Sequence, residues 1–227
     1  MPYLFILGAK DPEMDRIEEI LQNANQVFTQ AKVNGVRVHA GNTYTVDEIP
    51  NLNQYTPVWI ECSKFEPGHG IYIDHHRPGD VGYSKPPAHF WKASSLGQLH
   101  ELLDLKPSHN DIVLAAMDHC FAPALQGECP GVTPEEVRFI KYLEIEKTTG
   151  ANLQEINSLV DLYTQTLSTT PTVRIGSEDV YDLRSLYLGE GIPESALCAS
   201  CCCRYKAVPY CIIETKSTLL RNGLLQE

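Results

Sequence analysis

The period of apolar and polar positions changes several times along this chain, and the changes mark its elements. Tyr3-Leu4-Phe5-Ile6-Leu7 is an apolar run that breaks at Gly8, after which Ile17, Ile20 and Leu21 recur at helical spacing behind Pro12. This predicts strand, loop and helix, with Pro12 in the first helical turn and the acids around it near the positive end of the helix dipole. Asn34-Gly35 predicts a hairpin turn between Val27-Phe28 and Val36-Arg37-Val38-His39. Pro57-Val58-Trp59-Ile60 predicts a second buried strand ending at Glu61-Cys62-Ser63, and residues 70–73 a third ending at Asp74. Three apolar strands thus stop at or near a carboxylate. The second and third end about 13 residues apart, too few for a full crossover helix, so the strand ends are expected to converge.

Helical spacing then dominates. Residues 95–105 put Leu96, Leu99, Leu102 and Leu103 on one face, behind Ser94-Ser95 as an N-cap. A second helix is predicted from Asn110, carrying Asp118 and His119, a third over 134–147 and a fourth over 152–167. Ser168-Thr169-Thr170-Pro171-Thr172 reads as a linker. Beyond it the pattern predicts strands at 172–175 and 180–183, a helix over 193–204 and a strand over 208–214. The expected fold is α/β, a mostly parallel sheet flanked by helices over residues 1–168, with a small C-terminal α/β appendage over 172–227.

Composition narrows the class. With 227 residues, 43% hydrophobic and 21% charged, the chain can bury a sizeable core and has no reason to be disordered. No apolar run approaches the roughly 18 residues of a membrane span, and the N-terminus has no basic leader, so a soluble cytoplasmic protein is expected. The net charge of −11 argues against a broad surface for duplex nucleic acid and leaves room for a local pocket that takes a small phosphate-containing ligand. Homo-oligomerisation stays open. All eight His lie between His39 and His119, so any imidazole chemistry belongs to the first half.

That chemistry centres on Ile73-Asp74-His75-His76-Arg77, where a strand ends in an acid, two imidazoles and a guanidinium, at the sheet edge where open α/β sheets bind ligands. Carboxylates and an imidazole gathered in one cleft repel one another unless protonated or neutralised by a metal. Oxygen-rich sites with one or two His suit Mn²⁺ or Mg²⁺ better than Zn²⁺ held by thiolates.

Taken in order, Gly8-Ala9-Lys10-Asp11-Pro12-Glu13-Met14-Asp15, Trp59-Ile60-Glu61, Ile73-Asp74-His75-His76 and Ala115-Ala116-Met117-Asp118 resemble the four motifs of the DHH phosphoesterase family. That family includes manganese pyrophosphatases, RecJ-type exonucleases and enzymes that hydrolyse nano-RNA and cyclic dinucleotides. The resemblance covers roughly residues 3–125. It implies metal ligands Glu13, Asp15, Glu61, His75 and Asp118, one or two Mn²⁺ or Mg²⁺ ions, and catalytic or phosphate-facing roles for Asp74, His76 and Arg77. It implies a metal-dependent phosphoesterase acting on a nucleotide, short oligonucleotide or other small phosphate ester. Ala9 stands where the family has a metal-binding His, and Glu13 replaces an Asp. Loss of a ligand opens a second reading, a protein that binds a phosphate-containing ligand without cleaving it. His39, Asn42, Tyr44 and His119 are candidate supporting groups, each with a structural alternative, and Asp80 is placed to anchor Arg77.

Cys198, Cys201, Cys202, Cys203 and Cys211 raise a third reading, a cysteine-held iron–sulfur or zinc centre. Consecutive cysteines on a helix point about 100° apart, so no more than two serve one centre comfortably. Core packing as small hydrophobes is the simpler expectation.

Overall fold

A computed structural model of the chain describes residues 1–48, 51–52, 54–64, 69–150, 152, 154, 158, 172–175 and 178–181. The chain divides into two compact units, Met1–Thr133 and Pro134–Glu227.

The first unit is built on a four-stranded, wholly parallel sheet in the order β2-β1-β5-β6, formed by β1 (Tyr3–Leu7), β2 (Val27–Gln30), β5 (Thr56–Ile60) and β6 (Ile71–Ile73). Helix α1 (Pro12–Asn23) crosses from β1 to β2, and a small antiparallel hairpin, β3 (Lys32–Val33) with β4 (Val36–Arg37), follows. After β6 come a 3₁₀ turn (Pro87–His89), a one-turn helix α2 (Phe90–Ala93), α3 (Ser95–Leu102) and α4 (His109–Leu125). The α/β architecture and mostly parallel sheet are as the hydropathy pattern predicts. The hairpin is not. Asn34-Gly35 does turn it, with Asn34 at φ 52° and Gly35 at φ 79°, but Val27-Phe28 is no part of it. Those residues pair in parallel with Leu4 and Phe5 as a sheet edge, because Ala31 is already joined to the sheet, its N–H donating to Leu7 O.

Both faces of the sheet are buried. Ile6, Trp59 and Tyr72 are register neighbours, so period-two alternation turns them to one face, where Ala31, Val38 and Val46 from the hairpin and its following loop cover them. Trp59 stacks on Tyr72 with ring centroids 6.4 Å apart. Phe5, Leu7, Val58, Ile60 and Ile73 face the other way and are also buried, which leaves that face to the helices. There α1, α3 and α4 pack on one another, α1 beside β2 and α3 beside β6. Each such side chain contributes about 1.5–3 kcal/mol by leaving water, so this sheet is a rigid base for the loops at its carboxyl edge.

In the second unit, α5 (Pro134–Thr149) opens with Glu135 and Glu136 and carries Arg138–Glu135 and Lys141–Glu144 ion pairs at i,i+3. Strands β7 (Thr172–Ile175) and β8 (Glu178–Tyr181) form an antiparallel hairpin. Of the helix expected over 152–167 only isolated positions are described, Gln154 and Ser158 being helical. The linker residues 168–171, the elements expected over 193–204 and 208–214, and the cysteine cluster lie outside the described residues.

Candidate metal centre

Parallel pairing brings the carboxyl ends of β1, β5 and β6 side by side, and each delivers an acid within a few residues. At β1 the chain must pass very close to β5. The N–H of Gly8 donates to Ile60 O, and a Cβ at Gly8 would stand 2.5 Å from Glu61 O, so only glycine permits the approach. Asp11 then caps α1 by accepting from Met14 N at 2.6 Å, and Pro12 starts the helix. This puts Glu13 in the first turn, 1% exposed, with Oε1 accepting from Leu96 N at the N-terminus of α3. Ser94 caps α3 by accepting from Gly97 N. Glu61 follows β5 in the left-handed region at φ 50°, a conformation that costs a non-glycine residue about 1–3 kcal/mol and needs its surroundings to hold it. Thr43 supplies one hold, its Oγ1 donating to Glu61 O at 2.6 Å, and Glu61 N donates to Ile73 O.

Glu13, Glu61, His75 and Asp118 converge, each offering a ligand atom, all within 4.8 Å of one another. Donors on one Mg²⁺-like ion, with bonds of about 2.1 Å, stand no more than about 4.2 Å apart, so slight closure suits them to one cation. Glu13 Oε2, Glu61 Oε1, Asp118 Oδ2 and His75 Nε2 are all buried without a hydrogen bond of good geometry, although His75 Nε2 lies 2.9 Å from Asp118 Oδ2 and 3.3 Å from Glu61 Oε1. Buried polar atoms are normally satisfied. Four such atoms gathered in one place could hold a metal ion.

The electrostatics agree. Burial, with Asp118 and Glu61 adding to it, pushes the Glu13 carboxyl well above its ordinary range. Burial opposes charging of His75, but Asp118 and Glu61 outweigh it and raise its pKa to about 10. Burial likewise opposes ionisation of Asp118, whose pKa is nonetheless lowered by the His75 imidazole. Without a cation, a protonated His75 takes the place of one. The other nitrogen of His75 is settled separately, with Nδ1 3.1 Å from His119 Nδ1 and His119 Nε2 3.2 Å from Lys85 O. The tautomer that satisfies both has His119 donating to Lys85 O and accepting from His75, which frees His75 Nε2 for a metal, as ligating imidazoles require.

Asp74, His76 and Arg77 sit beside this group. One oxygen of Asp74, Oδ1, accepts from His75 N, His76 N and Tyr44 OH and pairs with His76 Nδ1 at 3.0 Å. Burial opposes ionisation of Asp74, but these contacts, His76 foremost, hold its carboxyl below the ordinary range. Asp74 thus organises the turn from inside, while His76 is 47% exposed with Nε2 left for a ligand. Arg77 lies over the Tyr44 ring at 3.6 Å and donates to Ser63 Oγ. Asp80 holds the Arg77 backbone, accepting from Arg77 N at 2.7 Å, and meets the guanidinium only as an ion pair at 3.8 Å from Nε, without a hydrogen bond.

Of the five expected ligands, Asp15 stands outside the group and pairs with Lys10 at 3.5 Å. It is one position past Met14, whose side chain takes the core-facing slot of the first helical turn. Glu61, His75 and the exposed His76 form a second, smaller donor group. His39 and Asn42 close a turn on each other's backbone, Asn42 Oδ1 accepting from His39 N and His39 Nδ1 from Gly41 N, which is the structural alternative. Tyr44 and His119 do support the site. Three contributors are not among the expected site residues. Thr43 and Ser63 act through contacts made only on folding. Asp11, read as one acid among several, is raised to about 7 by burial and by the nearby Glu61 and Asp118. No helix among the described residues is long and apolar enough to cross a membrane. No family model, curated protein or solved structure matches the chain, so its reading rests on the geometry of this centre.

Proposed function

We propose that the chain is a metal-dependent phosphoesterase of the DHH type, acting on a nucleotide, short oligonucleotide or other small phosphate ester. The observation that carries this is the buried donor set of Glu13, Glu61, His75 and Asp118, its four ligand atoms without hydrogen bonds. A hard divalent cation such as Mn²⁺ or Mg²⁺ suits three carboxylates and one imidazole, and when bound it supplies Lewis acidity at phosphorus and lowers the pKa of water. The chain's own residues do the rest. Arg77, stacked on Tyr44 and tethered through Ser63 and Asp80, offers its remaining N–H groups to a phosphate oxygen. His76, oriented by Asp74, is placed to donate a proton to the leaving oxygen through Nε2. The net charge of −11 makes these local cations decisive for an anionic substrate. In this reading specificity lies in the loops and in a C-terminal appendage beyond the linker.

A second reading, binding of a phosphate-containing ligand without cleavage, is favoured by Ala9 and by the pairing of Asp15 with Lys10, since neither residue then adds a ligand to the centre. Calorimetric Mn²⁺ titration of metal-stripped protein, coupled to turnover of pyrophosphate, bis-p-nitrophenyl phosphate and short oligonucleotides, separates them. Binding with hydrolysis supports the esterase. Binding without hydrolysis supports the second reading, and absence of Mn²⁺ binding removes the esterase and leaves only metal-free binding of a phosphate-containing ligand.

A further inference from the structure

Outside the metal centre, the most unusual pairing of reactive groups is at the end of α4. Pro123 lacks the N–H that would bond to His119 O, and its ring crowds that carbonyl, so the turn before it opens. Cys120 takes the resulting non-helical conformation at φ −149° and ψ 55°. Three residues after Pro123 the helix ends at Gln126 and the chain reverses through Gly127 at φ 78°, with Glu128 N donating back to Pro123 O. The reversal lays Cys129 against Cys120, nine residues earlier, with Sγ atoms 2.8 Å apart. A kink and a reversal together build this contact, which no helical periodicity would produce.

We propose that Cys120 and Cys129 form a redox-active dithiol, a site of reversible disulfide formation that takes a low-molecular-weight disulfide as its oxidant. An S–S bond of about 2.05 Å needs a sub-ångström approach from the observed geometry. Exposure assigns the order of steps. Cys129 is 1% exposed, while Cys120 is half-buried. The Cys120 sulfur attacks one sulfur of the oxidant, its proton goes to solvent, and one small thiolate leaves. The Cys129 sulfur then attacks Cys120 in the mixed disulfide and expels the second small thiolate. Two protein thiols lose two protons and two electrons, and the oxidant gains both pairs as two thiols. Cys129 is buried and Cys120 half-buried, so access of the oxidant is restricted, exchange is slow and it is followed to equilibrium. Cys62 supplies an internal contrast, since it is equally buried but bonded to Ile6 O with no cysteine beside it among the described residues.

The test is site-resolved thiol mapping of the full chain after equilibration with oxidised glutathione, free thiols being alkylated before digestion. Cleavage after Glu128 separates the two cysteines unless they are bridged. The expected result is a linked Cys120–Cys129 peptide pair that dithiothreitol releases, with Cys62 alkylated throughout. In Cys129→Ser, a glutathione adduct should accumulate on Cys120, and in Cys120→Ser, Cys129 should stay alkylated. Wild-type protein in which both thiols remain alkylated at equilibrium, or in which Cys120 carries glutathione while Cys129 stays free, would overturn the proposal. The readout is sulfur chemistry alone, so it stands or fails independently of the phosphoesterase reading.

Discussion

Glu61 condenses the tension at the centre of this protein. It adopts left-handed backbone at φ 50°, is 5% exposed, and adds a carboxylate to a pocket that already holds two. Its contact with His75 at 3.3 Å offsets part of this cost in metal-free protein, and the position is expected to trade stability for binding. Glu61→Gly should change the stability of metal-free protein little, because glycine accepts that φ freely while the contact with His75 is lost. The same variant should abolish the rise in Tm on adding Mn²⁺, which differential scanning fluorimetry reads directly. Asp118→Asn keeps shape and removes a charged ligand. It should weaken calorimetric Mn²⁺ affinity by at least about tenfold, the low end of what losing even an outer partner costs, with a much smaller effect on urea unfolding. Ala9→His tests the proposed DHH reading, in which position 9 holds a ligand, from the other direction. Metal analysis should find higher Mn²⁺ occupancy, with a faster phosphodiesterase rate under the esterase reading and turnover at background under the second, whereas a wild type already saturated with two ions would sink the idea that Ala9 limits the site.

At the scale of elements, helix starts carry the site. Asp11 caps α1 and sets Glu13 in its first turn, Ser94 caps α3 and exposes Leu96 N–H to Glu13, and Ser108 with Asp111 forms a capping box on α4. Asp111 also receives Arg16 from α1 at 2.6 Å, locking two helices that bear ligands. Removing a cap should therefore loosen the site without deleting a ligand. Ser94→Ala is expected to cost about 1 kcal/mol in urea unfolding, since Gly97 N loses its buried acceptor. Its Mn²⁺ affinity should fall less than that of Asp118→Asn.

For the molecule as a whole, the site makes stability depend on pH in a calculable direction. Asp11 rises on folding from 3.8 to about 7 and Glu13 rises well above 4.5. A carboxyl raised in this way binds more protons folded than unfolded, so stability falls as the pH rises from about 4 to about 7. His75 rises from 6.5 to about 10, and its contribution is fully present below 6.5 and lost as the pH climbs through about 10. Metal-free protein should thus show a declining Tm from about pH 5 to about pH 9. Mn²⁺ needs the carboxylates ionised and His75 Nε2 deprotonated, so it should raise Tm more at about pH 8 than at about pH 5. Thermal melts with and without Mn²⁺ check both signs.

The sequence by itself determined the central strands and the longer helices of the first unit and the acids at the strand ends. Apolar runs such as Tyr3–Leu7, the period of Ile17, Ile20 and Leu21, and the Ser94 cap are local signals, because backbone conformation and burial pattern repeat over a few residues. It also marked Glu13, Glu61, His75 and Asp118 through motif order. Tertiary structure alone decided which acids meet. Val27-Phe28 left the expected hairpin for the sheet edge, Asp15 turned to Lys10, and Thr43, Ser63 and Asp11 joined the site. These outcomes depend on strand order, on a close passage at Gly8 and on a left-handed residue at Glu61. Each is a contact between segments far apart in the chain, and residue spacing carries no information about such a contact until the sheet has assembled.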